Sequence, residues 1–269
     1  TKLSMYDIIK KLEFSFQDFT ILKKYCFRRN IEFMLSCFDT TSVNILKKLK
    51  VKKIKIPSGE ITNYPLLKKI ASLNKPVILS TGMANINEIK SAVKLLNKFG
   101  IPKEKITVLH CNTYYPTEMK DLNLNVLISF KKIFKNIGLS DHSLDTDVPL
   151  AAIGAGSKII EKHFTINRKL SGPDHKSSLE PKELKIMIQK IRKIEVALGA
   201  KEKKITQSEK KIISFARKSL VAKQDIYKGQ IFSENNMTLK RPAKGKSSKL
   251  WFKYLGKKAK KNYKTNQYI

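Results

Sequence analysis

The feature that most constrains this chain is a repeated exchange of two periodicities. Six short runs rich in Ile, Val and Leu recur between residues 32 and 164: "EFMLSCF" (32–38), "VKKIKIPS" (51–58), "PVILST" (76–81), "ITVLHC" (106–111), "NIGLSD" (136–141) and "SKIIEKHF" (157–164). Their length and β-branched content predict strands. The intervals between them carry helical spacing. "NEIKSAVKLLNKFG" (87–100) stops at Gly100, and "PKELKIMIQKIRKIEVALG" (181–199) opens with Pro and closes with Gly. From Ser15 the chain reads S-F-Q-D, which predicts a capping box closed by Asp18. Apolar strands alternating with helices predict a parallel sheet covered by helices.

Strand ends separate the two sheets of that kind. "KIPSGE", "LSTGM", "HCNTYYP", "GLSDHS" and "EKHFT" each place polar residues just after an apolar run. An open doubly wound sheet concentrates such residues at one crevice, whereas a (β/α)8 barrel gathers every strand end around one mouth. Five polar ends spread along the chain predict the barrel. No glycine-rich dinucleotide loop follows any strand.

Composition narrows the partners. The 269 residues carry a net charge of +33, which by itself suggests nucleic acid. Yet only six of the 55 basic residues are Arg (Arg28, Arg29, Arg168, Arg192, Arg217 and Arg241), and the Lys are dispersed over the chain. Readers of nucleic acid favour Arg forks, so nucleic acid is not the expected partner. Such a field still draws small anions. No apolar stretch is long enough to span a membrane, so no membrane association is expected. The beginning, "TKLSMYDIIKKLEF", lacks a signal-peptide layout and an initiator Met. Three cysteines (Cys26, Cys37, Cys111) form no CxxC pair, which predicts free thiols and a cytoplasmic setting.

The texture changes after residue 200. "AKEKKITQSEKKI" is charged and lacks a core face, and "KSLVAKQDIYKGQIFSENNMTLKRP" then shows short β-like runs between turn residues. The expected organisation is a barrel over 1–200, a linker over 201–212 and a small β-rich domain over 213–269.

Five motifs in order, "KIPSGEITNYPLLKKIA", "KPVILSTGMANINEI", "LHCNTYYPTEMKDLNL", "IGLSDHS" and "IEKHFT…GPDHKSSLEPKEL", closely resemble the sialic acid synthase family of N-acetylneuraminate and legionaminic acid synthases. The tail "RKSLVAKQDIYKGQIFSENNMTLKRP" resembles the antifreeze-like (SAF) domain that ends those enzymes. The resemblance implies a (β/α)8 TIM-type barrel followed by a SAF domain. It also implies condensation of phosphoenolpyruvate with an N-acylated amino sugar (N-acetylmannosamine or a related deoxy sugar), releasing a nine-carbon α-keto acid and phosphate, with Mn2+ or Mg2+ as cofactor.

Roles follow from the resemblance residue by residue. His142 and His163 match the two metal ligands; they are two of only four His, and both end consecutive predicted strands. His110 and His175 lack that placement. Lys55 matches the family's phosphoenolpyruvate-binding Lys; Ser58, Ser80 and Ser140 follow their strands as hydroxyl donors to that substrate, and Asn112 and Thr113 add an amide and another hydroxyl, although each taken singly is an ordinary turn residue. Ser36 stands in "LSCFD" where the family usually has Thr in "STPFD", with Cys37 replacing a Pro. Glu60 is expected to handle protons or to stabilise the cationic centre as water adds to the enol carbon. Alternation places Glu161 on the face of His163, where it is either a partner to the site or half of a structural salt bridge. Tyr115 and Asp174 match amino-sugar contacts; "GPDH" leans toward neuraminate or legionaminate synthases over pseudaminate synthases. Arg241 matches a SAF arginine that reaches the N-acyl group across a domain-swapped homodimer. Here "RPGxG" reads "RPAKG", and Ala243 in place of Gly bears on a loop that can need positive φ.

The family opens with an "EAGxNHxG"-type strand and a "KFQ"-type strand, neither of which occurs here. The first two strand–helix units are therefore expected to lie outside these residues, and the chain alone is expected to turn over no substrate. Three functional readings stay open: such a synthase, a non-catalytic remnant of one, and a basic nucleic-acid-binding protein. An in-frame upstream "NHNG"-like segment would favour the first over the second, and a steep salt dependence of oligonucleotide binding would favour the third.

Overall fold

The computed structural model describes residues 4–269 as two compact units, divided between Gly199 and Ala200. The first opens with helices α1 (Met5–Leu12) and α2 (Phe16–Arg28), started by capping boxes at Ser4 and Ser15; Asp18 closes the second as expected. After α3 (Ser42–Lys48) come β1 (Ile54–Ile56), α4 (Tyr64–Ala71), β2 (Val77–Ser80), α5 (Ile86–Lys98), β3 (Ile106–Cys111), α6 (Val126–Ile133), β4 (Asn136–Asp141), α7 (Val148–Ala155), β5 (Ile159–Lys162) and α8 (Pro181–Leu198). The five strands form one parallel sheet in the order β1-β2-β3-β4-β5. Each strand lies beside the next in sequence, the order of consecutive units in a (β/α)8 barrel.

Side-chain alternation gives the sheet two different faces. Ile54, Ile56, Val77, Leu79, Val108 and Leu139 point outward into a core shared with Leu66 and Ile70 of α4, Leu96 of α5 and Leu127 of α6. The opposite face carries Lys55, Ser80, Cys111, Ser140 and Glu161. Lys55 Nζ and Glu161 Oε2 meet at 3.4 Å although they stand on the first and last strands. Flat, those strands would lie roughly 19 Å apart, at about 4.8 Å per interval. That is farther than an extended Lys and an extended Glu reach together, so the sheet is curled with this face inside.

The expected strand over 32–38 is reduced to one parallel bridge, Ser36 to Lys55. Its template is short: β1 has three residues and is followed by Pro57, which has no N–H to extend a ladder. At the other edge Leu179 folds back, its N–H donating to His163 O (2.9 Å) and its carbonyl accepting from Thr165 N (3.0 Å).

The second unit holds α9 (Gln207–Ala216), the antiparallel pair β6 (Ser219–Ala222) and β7 (Met237–Lys240), and the short α10 (Trp251–Tyr254). Helix α9 occupies the second half of the stretch expected as linker. Thr206 starts it with a capping box closed by Glu209, and it buries no residue, in keeping with a stretch that lacks a core face. Leu220, Ala222, Ile226, Phe232 and Met237 form this unit's own core. Asp225 clips the returning chain, accepting from Lys264 Nζ (2.9 Å), Thr265 N (2.8 Å) and Thr265 Oγ1 (3.0 Å). Those donors hold its carboxyl down at about 2.

Close packing inside the curl makes one position testable. A Cβ on Gly138 would meet Ile159 O and Leu109 Cδ2 at 2.5 Å each. Backbone cannot yield as a side-chain tip can, so Gly138→Ala should cost about 1–3 kcal/mol in urea unfolding. An unchanged midpoint would mean that β4 and β5 are less tightly apposed.

Candidate active site

The inner face becomes polar at the carboxyl ends of the strands. Lys55, 8% exposed, sits between the fully buried Ile54 and Ile56 but points the other way. Its ammonium bonds Ile56 O (3.3 Å) and pairs with Glu161, whose second oxygen accepts from Ser140 Oγ at 2.6 Å. Ser58, in the turn after β1, accepts from Gly82 N at 2.9 Å and donates to Cys111 Sγ at 3.6 Å. Gly82 has no room for a side chain, because a Cβ would stand 2.4 Å from Thr113 Cγ2 and 3.0 Å from Ser58 Oγ. The turns after β1, β2 and β3 are thus in contact.

Ser80 differs from its neighbours. Its hydroxyl is buried at 2% exposure and has no hydrogen-bond partner; among the described residues only Ser157, at the opposite end of the sheet, shares that state. A buried unpaired hydroxyl costs stability. On the sheet face that also carries Lys55, it marks a place for an external acceptor.

Beyond the hydroxyls stand three rings. The His142 and His163 centroids lie 5.1 Å apart with the rings nearly perpendicular, and Tyr115 lies 4.0 Å from the first and 5.3 Å from the second. His142 Nδ1 is 2.5 Å from Asn112 O. A carbonyl only accepts, so Nδ1 carries the proton and Nε2 presents its lone pair. Burial pushes the imidazole below its ordinary pKa, which keeps it neutral. Burial likewise pushes the Tyr115 phenol up to about 12, leaving it protonated and able to donate. His163 Nδ1 lies 3.9 Å from the carboxylate of Asp174, which is exposed. Two imidazole nitrogen donors at this spacing suit a divalent ion and leave its other positions free. Among the described residues no group of three or more His, Cys, Asp or Glu is arranged for a metal.

The expected residues fall into three sets. Lys55, Ser58, Ser80, Ser140, Tyr115, His142 and His163 line the inner face and its mouth. Asn112 and Thr113 stand beside them, but Asn112 turns its amide into its own loop, with Oδ1 accepting from Tyr114 N at 2.8 Å. What Asn112 offers His142 is its backbone carbonyl. Ser36 is exposed and meets Lys55 through backbone. Glu60 is drawn aside, its Oε2 accepting from Asn63 Nδ2 at 2.7 Å. The carboxylate against Lys55 is Glu161 instead, because Glu60 sits in a 3-10 turn next to the Asn63 cap of α4. Arg241 belongs to the second unit, where it is exposed and its Nε donates to Ala216 O at 2.8 Å. Ala243 is not among the positive-φ residues, so that loop does not require the glycine. His110 and His175 are engaged elsewhere, with Leu122 O (2.7 Å) and Thr165 Oγ1 (2.8 Å).

The sequence predicts Cys111 only as a free thiol. It lies at the centre of the inner face, 4.0 Å from His142 Nδ1. Counting alternate residues along β3 would have found it. A separate hollow of 740 Å³ beside α2, lined by Phe16, Phe27 and Leu49 together with Lys23, Arg28 and Lys48 among others, has cations but neither carboxylate nor imidazole in its lining.

The two serines separate a bonded hydroxyl from an unbonded one. Ser140→Ala, which strips a bond from the Glu161 carboxylate, should cost about 1.5–3 kcal/mol. Ser80→Ala should be neutral or stabilising by up to about 1 kcal/mol, since no bond is lost. Equal losses in urea unfolding would show that Ser80 is satisfied in solution.

Comparisons with known proteins agree with the fold. The NeuB family profile matches residues 1–203, and the SAF domain profile matches residues 217–269. The chain is 49% identical over 267 residues to the N,N'-diacetyllegionaminic acid synthase of Campylobacter jejuni, covering 99% of this chain and 80% of that protein. It is 38% identical over 245 residues to the enzyme of the same name from Legionella pneumophila, covering 90% and 69% respectively. Among solved structures it resembles an N-acetylneuraminic acid synthetase from Leptospira borgpetersenii, with a TM-score of 0.73 and 36% identity over 77% of this chain and 72% of that one. No helix among the described residues is long and apolar enough to cross a membrane.

Proposed function

Since the chain belongs to the NeuB family and ends in a SAF domain, we propose that it joins phosphoenolpyruvate to the open-chain aldehyde of an N-acylated amino sugar. The sugar is of the N-acetylmannosamine type or a related deoxy sugar, and the products are a nine-carbon α-keto acid and phosphate. The relatives named above are synthases of such acids. The observation that carries the reading is the unpartnered Ser80 hydroxyl on the sheet face that carries the nearly buried Lys55 ammonium, a donor and a cation turned to the same side.

The chemistry balances as follows. The enol methylene carbon forms a bond to the aldehyde carbon, whose oxygen takes up a proton. Water adds its oxygen to the former enol carbon, and the adduct expels phosphate to leave a ketone. Lys55 with Ser58, Ser80 and Ser140 holds the phosphate and carboxylate, and Thr113 stands beside them as a further hydroxyl donor. Glu161 takes the ammonium when no anion is present. Glu60 handles the proton of the incoming water from the turn after β1. Tyr115 and Asp174 bind sugar hydroxyls, and Arg241 of a domain-swapped partner binds the acyl group.

His142 and His163 are the residues that would hold a divalent metal, Mn2+ or Mg2+. Such an ion supplies Lewis-acid polarisation of the aldehyde oxygen. A cytoplasmic setting goes with this reading, since Cys26, Cys37 and Cys111 are all unpaired.

The test is phosphate release from phosphoenolpyruvate by the full-length natural protein, offered a panel of acylamino sugars. Release that depends on one of these sugars supports the reading; its absence across the panel favours a non-catalytic protein. His142→Ala and His163→Ala should each lower manganese-dependent turnover by roughly 100-fold or more with circular dichroism unchanged. Full activity in either variant would remove that residue from the site.

The SAF arginine makes a separate prediction. Arg241→Ala should raise the KM for the sugar roughly tenfold while the KM for phosphoenolpyruvate changes little. Equal effects on both substrates would assign Arg241 to dimer structure.

A further inference from the structure

Behind the two imidazoles, on the helix-facing side of the sheet, lies a second set of charges that the proposed chemistry does not use. The strands alternate, so Ser140 and His142 face the mouth while Asp141 faces the helices. Likewise Glu161 and His163 face inward while Lys162 faces outward. Asp141 and Lys162 are register partners on β4 and β5, with side chains 0% and 4% exposed. The ammonium lies 2.6 Å from Asp141 Oδ2 and also donates to two carbonyls of the following turn, Ser143 O (2.5 Å) and Asp145 O (3.1 Å). Asp141 Oδ1 accepts from Ser143 N at 2.9 Å. Lys has three N–H groups, and a carboxylate and two carbonyls engage them all.

We propose that Asp141 and Lys162 are positioning residues for His142 and His163: one buried ion pair ties the turn after β4 to the end of β5 and so sets the separation of the two imidazoles. The inference rests on the reading that those imidazoles hold a divalent cation. Each member of the pair is the immediate chain neighbour of one imidazole, so displacing either displaces that backbone. Stability alone is a poor reason to keep such a pair, since apolar residues of similar volume often serve as well in a core. Apolar residues cannot bind the carbonyls of Ser143 and Asp145. Asn112 fixes how the His142 ring is turned, and the pair fixes where its backbone stands.

The experiment is calorimetric titration of Mn2+ into the full-length wild type, His142→Ala, and the double variant Asp141→Leu/Lys162→Met, with thermal unfolding followed in parallel. The double variant leaves no unpaired buried charge, so it should unfold cooperatively. Its Mn2+ affinity should nevertheless fall 10- to 100-fold, the loss typical when support around metal ligands is removed. Wild-type affinity in a folded double variant would overturn this inference while leaving the metal reading intact. A wild type that bound no Mn2+ would overturn the metal reading, and this inference with it. Should the double variant not fold, Lys162→Arg decides. It keeps the charge but replaces a compact ammonium with a planar fork, and its Mn2+ affinity should fall severalfold. An unchanged affinity there would also overturn the proposal.

Discussion

A lysine on the first strand of the sheet meets a glutamate on the last, and the shape of the site follows from that contact. Lys55 is nearly buried between two isoleucines that belong to the opposite face. An ammonium in such a place needs an opposite charge, and Glu161 supplies it from across the curl at 3.4 Å. Both edges of the sheet are thereby held to one centre, around which Ser58, Ser80 and Ser140 stand. The contact is long for an ion pair, and the Glu161 side chain is 33% exposed. The Asp141–Lys162 pair closes to 2.6 Å, with side chains 0% and 4% exposed. The first geometry suits a cation that can change partners when an anion arrives; the second suits a clamp.

Neighbouring residues on one strand therefore do opposite work. In "SDHS" the hydroxyl and the imidazole belong to the mouth, and the carboxylate between them belongs to the support. In "EKHF" the carboxylate and imidazole belong to the mouth, and the Lys between them belongs to the support. This division limits what residue type and spacing reveal. A carboxylate near Lys55 in sequence, Glu60, is drawn off by Asn63. The one in contact with Lys55 is about a hundred residues away and becomes its neighbour only because the sheet curls.

Much of the scaffold was nonetheless legible, because it depends on local rules. The S-F-Q-D start, the stop after residue 98 and the Pro-to-Gly span of α8 each follow from capping or termination. Five strands emerge where apolar runs are bounded by turn residues. Residues 32–38 have the composition of a strand, but a ladder needs a partner of matching length, and β1 offers three residues before Pro57. Composition reports what a segment tolerates, and pairing decides what it becomes. Arg241 is another such case: its residue type suggests an anion or amide partner, and in the fold its Nε donates to Ala216 O.

The charge of +33 acts at a different range from the site. Dispersed lysines raise the potential around the whole protein and draw anions toward it without selecting among them. In physiological salt that attraction fades over about 8 Å, so it can bring a phosphate to the surface but cannot orient it. In the proposed function, orientation falls to the nearly buried ammonium of Lys55 and to uncharged donors, the serine hydroxyls and the Tyr115 phenol. Neutrality is an advantage for these groups and for His142. Burial favours the neutral ring of His142, and the bond to Asn112 leaves the Nε2 lone pair free. A second cation in that position would bind the anion more tightly but would repel a metal. The constraint on the mouth is thus a limit on its positive charge, and a lysine already paired with Glu161 meets it.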